Sequence, residues 1–220
     1  MDKAKKISLV IFDMDGLMFD TEKLSLIAWQ EAGKNSGYEI PLDFIYKIIG
    51  VNSVTAESIS RDYFGEDFPF SELRIKSMDF VSQYMDQNGV PLKTGLFELL
   101  EFLKQKSVLR AVATSTEREK AVKYLKLANV IDKFDLVVCG DEITKGKPEP
   151  EIFLTAAQKL GCIPEDCIVL EDSEYGIIAA ARANMYPFFV PDLIKPNHEV
   201  LSHVHREFKT LLDVKEFLQT

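Results

Sequence analysis

The chain has 220 residues, 46% hydrophobic and 28% charged, which is the composition of a globular fold of one large domain or of a medium domain carrying a small one. Its 35 acids outnumber 26 Lys and Arg for a formal net charge of −9, and no Lys/Arg-rich stripe is present, which argues against nucleic acid as a partner. No apolar run nears the ~20 residues that span a bilayer and no signal peptide opens the chain, so a cytoplasmic protein without a membrane partner is expected.

The basic start at Asp2–Lys6 reads as a solvated terminus. Ile7–Phe12 ("ISLVIF") predicts a first strand, which stops at Asp13-Met14-Asp15-Gly16. From about Thr21 to Asn88 no clear strand follows. Four stretches there carry helical patterns, and their core candidates are Leu26, Trp29, Phe44, Ile48, Ile59, Phe64, Met78, Phe80, Tyr84 and Met85. Thr94–Lys106 predicts a helix with Leu96, Leu99, Leu100 and Leu103 on one face. Val108–Ala113 predicts a strand, followed by Thr114, Ser115 and Thr116. Thr116 and Glu119 form a capping-box signature that should open the next helix. Leu136–Cys139 predicts a strand, then Gly140, Asp141 and Glu142, then "TKGKPEPEIF" with Lys145 and Lys147 leading into a helix. Cys167–Leu170 predicts a strand followed by Glu171, Asp172, Ser173 and a helix over "SEYGIIAAARAN". Pro187–Val190 completes the strands.

Strands alternating with helices imply βαβ units, and near-continuous apolar strands imply a sheet covered on both faces. The fold class expected is α/β: a doubly wound, mostly parallel, Rossmann-like sheet. One connection breaks the rhythm. The first strand ends at Phe12 and the second begins near Val108, whereas a whole βαβ unit takes only ~30 residues. The economical reading is an all-helical domain at 21–88 inserted into an α/β core made of 1–20 and 89–220.

Cys139, Cys162 and Cys167 are an odd set and lack a fourth metal ligand, so they read as small buried hydrophobes. His198, His203 and His205 read as surface residues.

In open parallel sheets, ligands bind beyond the carboxyl ends of the strands. Here those ends bear Asp13 and Asp15, then Thr114, Ser115 and Thr116, then Gly140, Asp141 and Glu142 with Lys145 and Lys147 after them, then Glu171, Asp172 and Ser173, so that all of these are grouped at one edge. Each group alone has an ordinary explanation as a turn, a helix cap or a charged loop. Four in order at successive strand ends make a site. Acids that close stay ionised only if a cation offsets them, and oxygen ligands of this kind suit Mg²⁺. Two phosphate-binding templates fail. Five residues separate Gly140 from Gly146 and Pro148 stands where a Walker loop needs Ser or Thr, and no G-x-G-x-x-G occurs.

The motifs "DMDGLMFDTE", "VATST", "GKPEPEIF" and "LEDSEYGIIAAARAN" resemble, in order and across the whole chain, those of the haloacid dehalogenase-like superfamily. The "GKPEPEIF" and "EDSEYGI" stretches resemble its β-phosphoglucomutase-like branch, which has a helical cap inserted after the first motif. The resemblance implies a phosphatase in which Asp13 is the nucleophile and Asp15 the general acid and base. It implies Mg²⁺ held by the Asp13 carboxylate, the Asp15 backbone carbonyl and Asp172, with Glu171 close by. It implies Thr114, the Ser115 backbone N–H and Lys147 on the phosphoryl group. The expected partner is a small phosphomonoester, a sugar or polyol phosphate, and a monomer is expected. Gly16 is expected to allow a tight turn, and Asn184 to take a left-handed helix cap where the family more often has Gly.

Two departures weigh against the branch's mutases. Ser25 stands where they carry His, and "GVNSVTA" (Gly50–Ala56) offers Ser53 where they carry Arg. A hexose-phosphate mutase is therefore the alternative rather than the first reading. Carbon–halogen hydrolysis needs neither Mg²⁺ nor a second Asp. A non-enzymatic phospho-acceptor of the receiver type is little over half this length and lacks a helical insertion. Polar cap positions expected to bear on specificity are Asn52, Arg61, Arg74 and Lys76.

Overall fold

The computed structural model describes residues 7–49, 53–194 and 196–220. The chain divides into two compact units, one of Met1–Asp20 with Val90–Thr220 and one of Thr21–Gly89. The first contains β1 (Leu9–Phe12), α5 (Leu96–Gln105), β2 (Leu109–Ala113), α6 (Arg118–Leu127), β3 (Leu136–Val138), α7 (Glu151–Lys159), β4 (Cys167–Glu171), α8 (Glu174–Arg182), β5 (Tyr186–Phe189), α9 (His198–Leu201), β6 (Arg206–Glu207) and α10 (Leu211–Gln219). The second contains α1 (Thr21–Asn35), α2 (Leu42–Ile48), α3 (Ser53–Phe64) and α4 (Phe70–Asn88).

The six strands form one sheet in the order β3-β2-β1-β4-β5-β6, with every neighbouring pair parallel. Side chains alternate across it. Leu9 and Ile11 of β1 join Ala111, Ala113, Cys167 and Val169 in a core with Ile152, Phe153 and Ala156 of α7 and Ala179 and Ala180 of α8. On the other face Phe188 of β5 meets Phe217 of α10, ring centroids 5.8 Å apart. Its neighbour Phe189 points back to Ile177 of α8 and Val200 of α9. A strand buried on both faces has no polar positions to alternate, which is why β1 reads as an unbroken apolar run.

The register decides what shares an edge. Phe12 pairs with Val112 on one side and Leu170 on the other, so Asp13 stands level with Ala113 and Glu171. From β1 the chain moves outward to β2 and β3, then returns to place β4 on the opposite side. The carboxyl end of β1 is therefore the switch point where a doubly wound sheet opens a crevice.

Strand limits differ from the sequence reading by one or two residues, and β4 runs one further, to Glu171. The two-residue β6 was not anticipated, because Arg206 and Glu207 are exposed and charged. His205, expected at the surface, is half-buried. Its ring lies parallel to Phe188 at 5.9 Å, and burial lowers its pKa. Cys139 and Cys167 are buried and Cys162 partly so, all as free thiols. Asn184 takes the left-handed conformation, φ +59°, at the end of α8.

In the second unit α1 and α4 pack together, and Trp29 stacks on Phe70 at 5.4 Å. Phe44 sits at the centre, edge-on to Phe64 at 4.8 Å and to Trp29 at 6.4 Å. Met78 and Tyr84, expected in this core, are 42% and 40% exposed. The buried residues of α4 are Phe70, Leu73, Ser77 and Met85; position 78 lies beyond the edge of that stripe, whereas position 84 lies on it by helical spacing and is exposed all the same. Ile40, Ile45, Phe68 and Leu73 take up the core instead. Among the proposed cap positions, Arg61 pairs with Glu57 at 2.9 Å and Lys76 with Glu72 at 2.7 Å, while Arg74 is exposed. Asn52 and the stretch Gly50–Asn52 lie outside the described residues, as does the side chain of Ser53.

The two chain crossings between the units lie side by side in the first unit. Phe19 and Leu92 form an antiparallel bridge, Asp20 N donates to Pro91 O at 2.9 Å, and Lys93 N donates to Met18 O at 2.9 Å. Among the described residues, no helix is long and apolar enough to cross a membrane.

Candidate active site

Asp13 follows directly on β1, and its backbone N donates to Leu170 O at 3.0 Å, which extends the ladder by one residue and fixes the side chain at the crevice. The chain then turns sharply. Gly16 N donates to Phe19 O at 2.9 Å, and Met18 and Phe19 both donate back to Met14 O. Gly16 sits at φ +82°, and a β-carbon there would overlap the Asp172 carboxylate. The turn thus needs glycine for its backbone angle and for the closeness of Asp172.

Lys147 enters from the loop before α7. Glu151, in the first turn of α7, accepts from Thr144 N at 2.7 Å and Lys145 N at 2.8 Å and so anchors that loop. The two lysines expected here part company. Lys145 is exposed, and the Lys147 side chain is only 6% exposed. Lys147 Nζ donates to Asp13 Oδ1, to Glu171 Oε1 and to Ala113 O, and lies 5.0 Å from the centre of the Phe153 ring. Glu171 is fully buried. Its other oxygen accepts from Asp172 N and Ser173 N at 3.2 Å and from Ser173 Oγ at 2.9 Å. Ser173 also caps α8, accepting from Gly176 N at 3.1 Å. Four hydrogen bonds thus set a glutamate in the interior where an unpaired one would be costly.

The charges do not balance. One ammonium faces the carboxylates of Asp13 and Glu171, with Asp172 beside them. Burial pushes the Asp13 carboxyl up to about 8 against the pull of Lys147, and Glu171 and Asp15 push the same way. Burial opposes the charge on Lys147, but Asp13 and Glu171 together hold its pKa above the ordinary lysine value. Asp13, Glu171 and Asp172 each offer a carboxylate oxygen within 4.8 Å of the others. Hard oxygen donors carrying surplus negative charge are the donor set of a divalent cation such as Mg²⁺. The residues fit one.

On the β2 side, Thr114 is 1% exposed, and its Oγ1 accepts from Thr116 N at 3.0 Å. Ser115 is exposed beside it. Thr116 does not cap α6 as its T-x-x-E pattern suggested. Glu117 is the N-cap residue, without a side-chain cap, and Asp141 Oδ1 accepts from Arg118 N at 3.0 Å instead. The Thr116 hydroxyl donates to Asp15 Oδ2 at 2.8 Å. Asp141 and Glu142, grouped with the site by sequence order, serve the start of α6, where Glu142 pairs with Arg118. The structure therefore brings Asp13, Lys147, Glu171 and Asp172 into one cluster and Asp15, Thr114 and Thr116 into an adjoining one.

Residues 10–190 match the family model described as haloacid dehalogenase-like hydrolase. The chain is 34% identical over 181 residues to a phosphorylated carbohydrates phosphatase of Thermotoga maritima, covering 80% of this chain and 81% of that protein. It is 29% identical over 183 residues to a Bacillus subtilis beta-phosphoglucomutase, covering 80% of each. The crystal structure of beta-phosphoglucomutase from Clostridium difficile superposes with a TM-score of 0.75 at 25% identity, covering 97% of this chain and 96% of that one.

Proposed function

The chain belongs to the haloacid dehalogenase-like hydrolase family, and from that premise we propose that it is a Mg²⁺-dependent phosphatase of a small phosphorylated carbohydrate or polyol. The observation that carries this reading is the buried Asp13 at the end of β1, bonded by Lys147, with oxygens of Glu171 and Asp172 within 4.8 Å. The name of the Thermotoga relative supports the substrate class.

In this reading an Asp13 oxygen attacks phosphorus in line with the ester bond. The new O–P bond forms as the bond to the leaving oxygen breaks, with its electron pair staying on that oxygen. Asp15 supplies the proton the leaving oxygen needs. Water then attacks the aspartyl phosphate and gives its proton to Asp15, and the Asp13–P bond breaks to release inorganic phosphate and restore both carboxyl groups. Lys147 and the Thr114 hydroxyl stabilise the phosphoryl oxygens, and because both are held in place beforehand they reorganise little as charge shifts. Asp13, Asp172, the Asp15 carbonyl and Glu171 close by would hold Mg²⁺, which orients the phosphoryl group and offsets the charge of acid against ester. Substrate selection is assigned to the helical Thr21–Gly89 unit.

Mutase chemistry is the second reading, favoured by the likeness to two beta-phosphoglucomutases. Ser25 and Ser53 in place of His and Arg weigh against it. A phosphate-release screen over phosphorylated metabolites, with and without Mg²⁺, decides between them. Release of phosphate supports the phosphatase. Interconversion of hexose 1- and 6-phosphates without release refutes it. Asp13→Asn should abolish turnover of p-nitrophenyl phosphate with little change in Tm, and retained turnover would remove Asp13 as the nucleophile.

A further inference from the structure

Thr116 has no part in the mechanism above, yet it is tied on three sides. Its N–H donates to Thr114 Oγ1 at 3.0 Å, its carbonyl accepts from Gly140 N at 3.1 Å, and its hydroxyl donates to Asp15 Oδ2 at 2.8 Å. With both backbone groups held, the side chain has only its χ1 torsion left to vary, and the bond to Asp15 fixes that. Asp15 is held from the other direction. It bridges to Phe19, and the following Gly16 N bonds to Phe19 O. The backbone of Asp15 thus takes its place from the turn, and its carboxylate takes its orientation from Thr116.

We propose that Thr116 is a positioning residue that occupies Oδ2 of Asp15 and so presents Oδ1 to the leaving oxygen. The same residue sets the phosphate side. A hydroxyl that accepts a backbone N–H keeps its own hydrogen for donation, so Thr116 N–H directs the Thr114 proton outward to a phosphoryl oxygen. One residue therefore aligns the phosphoryl donor and the proton donor. Misplacement of a reacting group by about 1 Å costs on the order of a hundredfold in rate, so this alignment carries a measurable share of turnover.

The inference rests on the reading of Asp15 as proton donor, and a leaving-group series separates the two. Phosphoryl transfer to Asp13 needs that proton when an alkoxide leaves and scarcely needs it when a nitrophenolate leaves. Values of kcat/KM for alkyl phosphates and p-nitrophenyl phosphate are compared, in Mg²⁺ buffer, for the wild type, Thr116→Val, Thr116→Ser and Asp15→Asn. Thr116→Val should lose about 10- to 100-fold on alkyl phosphates and less than about threefold on the nitrophenyl ester, part of the full effect of a general acid. Thr116→Ser keeps the hydroxyl and should stay within about threefold on both. Thr116→Ala repeats the test should the valine not fold. An equal loss on both esters, or none, while Asp15→Asn discriminates between them, overturns the role of Thr116 alone. If Asp15→Asn loses equally on both, the proton-donor reading falls and this inference falls with it.

Discussion

Replacing Lys147 with Met keeps the aliphatic stem and its contact with Phe153 but removes the ammonium shared by Asp13 and Glu171. The Glu171 side chain is 0% exposed and that of Asp13 is 11% exposed, so water cannot take over from the lost charge. Breaking a buried pair by removing one partner costs about 3–5 kcal/mol. The sign with pH follows from Asp13. Its carboxyl already sits at about 8 with Lys147 pulling it down, so removing Lys147 moves it higher still. A carboxyl whose folded pKa lies above its unfolded value destabilises the fold as pH rises between the two values, and the full cost stands above the folded one. The variant should therefore lose that amount at pH 9 and about 1–1.5 kcal/mol less at pH 5.5, because wild type and variant differ at Asp13 only over the one pH unit above about 8. For a unit of about 150 residues each kcal/mol moves Tm by roughly 2–4 °C, so a fall of about 6–20 °C is expected at pH 9. Thermal unfolding followed by circular dichroism in EDTA at the two pH values measures it. A loss below about 1 kcal/mol at pH 9, or one equal at both pH values, would refute the electrostatic account.

Gly176→Ala should destabilise by about 1–3 kcal/mol although alanine is the better helix former, because its β-carbon would overlap the Glu171 carboxylate; a higher midpoint in urea would contradict that packing. Burial pushes the thiols of Cys139 and Cys167 up to about 11 and about 12, so iodoacetamide at pH 8 should label the native protein at Cys162 alone and all three cysteines in urea, which intact mass reads directly. Thr210→Ala removes a capping box in which Thr210 Oγ1 accepts from Asp213 N at 3.2 Å, and should cost about 0.5–2 kcal/mol by urea titration with no change in the slope.

The parts legible from the amino acids are those whose determinants are local or periodic. β1, β2 and β4 show as apolar runs because both of their faces are buried, and the aspartates and glutamate at their ends stand out against that background. The β-phosphoglucomutase-like resemblance rests on the "GKPEPEIF" and "EDSEYGI" stretches, which lead into α7 and α8. Thr116 escaped because its T-x-x-E pattern is complete within four residues, whereas the acceptor that wins its hydroxyl, Asp15, lies 101 positions away. Sequence order grouped Asp141 and Glu142 with the site for the mirror-image reason. They follow β3, but Arg118 and the start of α6 claim them. Met78 lies just beyond the edge of the stripe that α4 turns inward, and Tyr84 lies on that stripe by spacing yet is exposed near the end of the helix, so apolar periodicity alone does not decide burial there. Which of Lys145 and Lys147 enters the crevice depends on Glu151 folding the intervening loop, a constraint from the helix that follows.

The Phe19–Leu92 bridge makes the long excursion between them cheap for the sheet. Its two ends are already stitched together, so the α/β fold experiences whatever lies beyond as a closed hairpin. Closing a loop of roughly 70 residues instead of a tight turn adds only about 2–3 kcal/mol, and less if the insert folds with its own ends together. A short glycine–serine linker from Asp20 to Val90 should then leave a foldable remnant. By the same logic the hairpin is a socket, where one insert can be exchanged for another of different length without rewriting the strands that end in Asp13, Thr114 and Glu171.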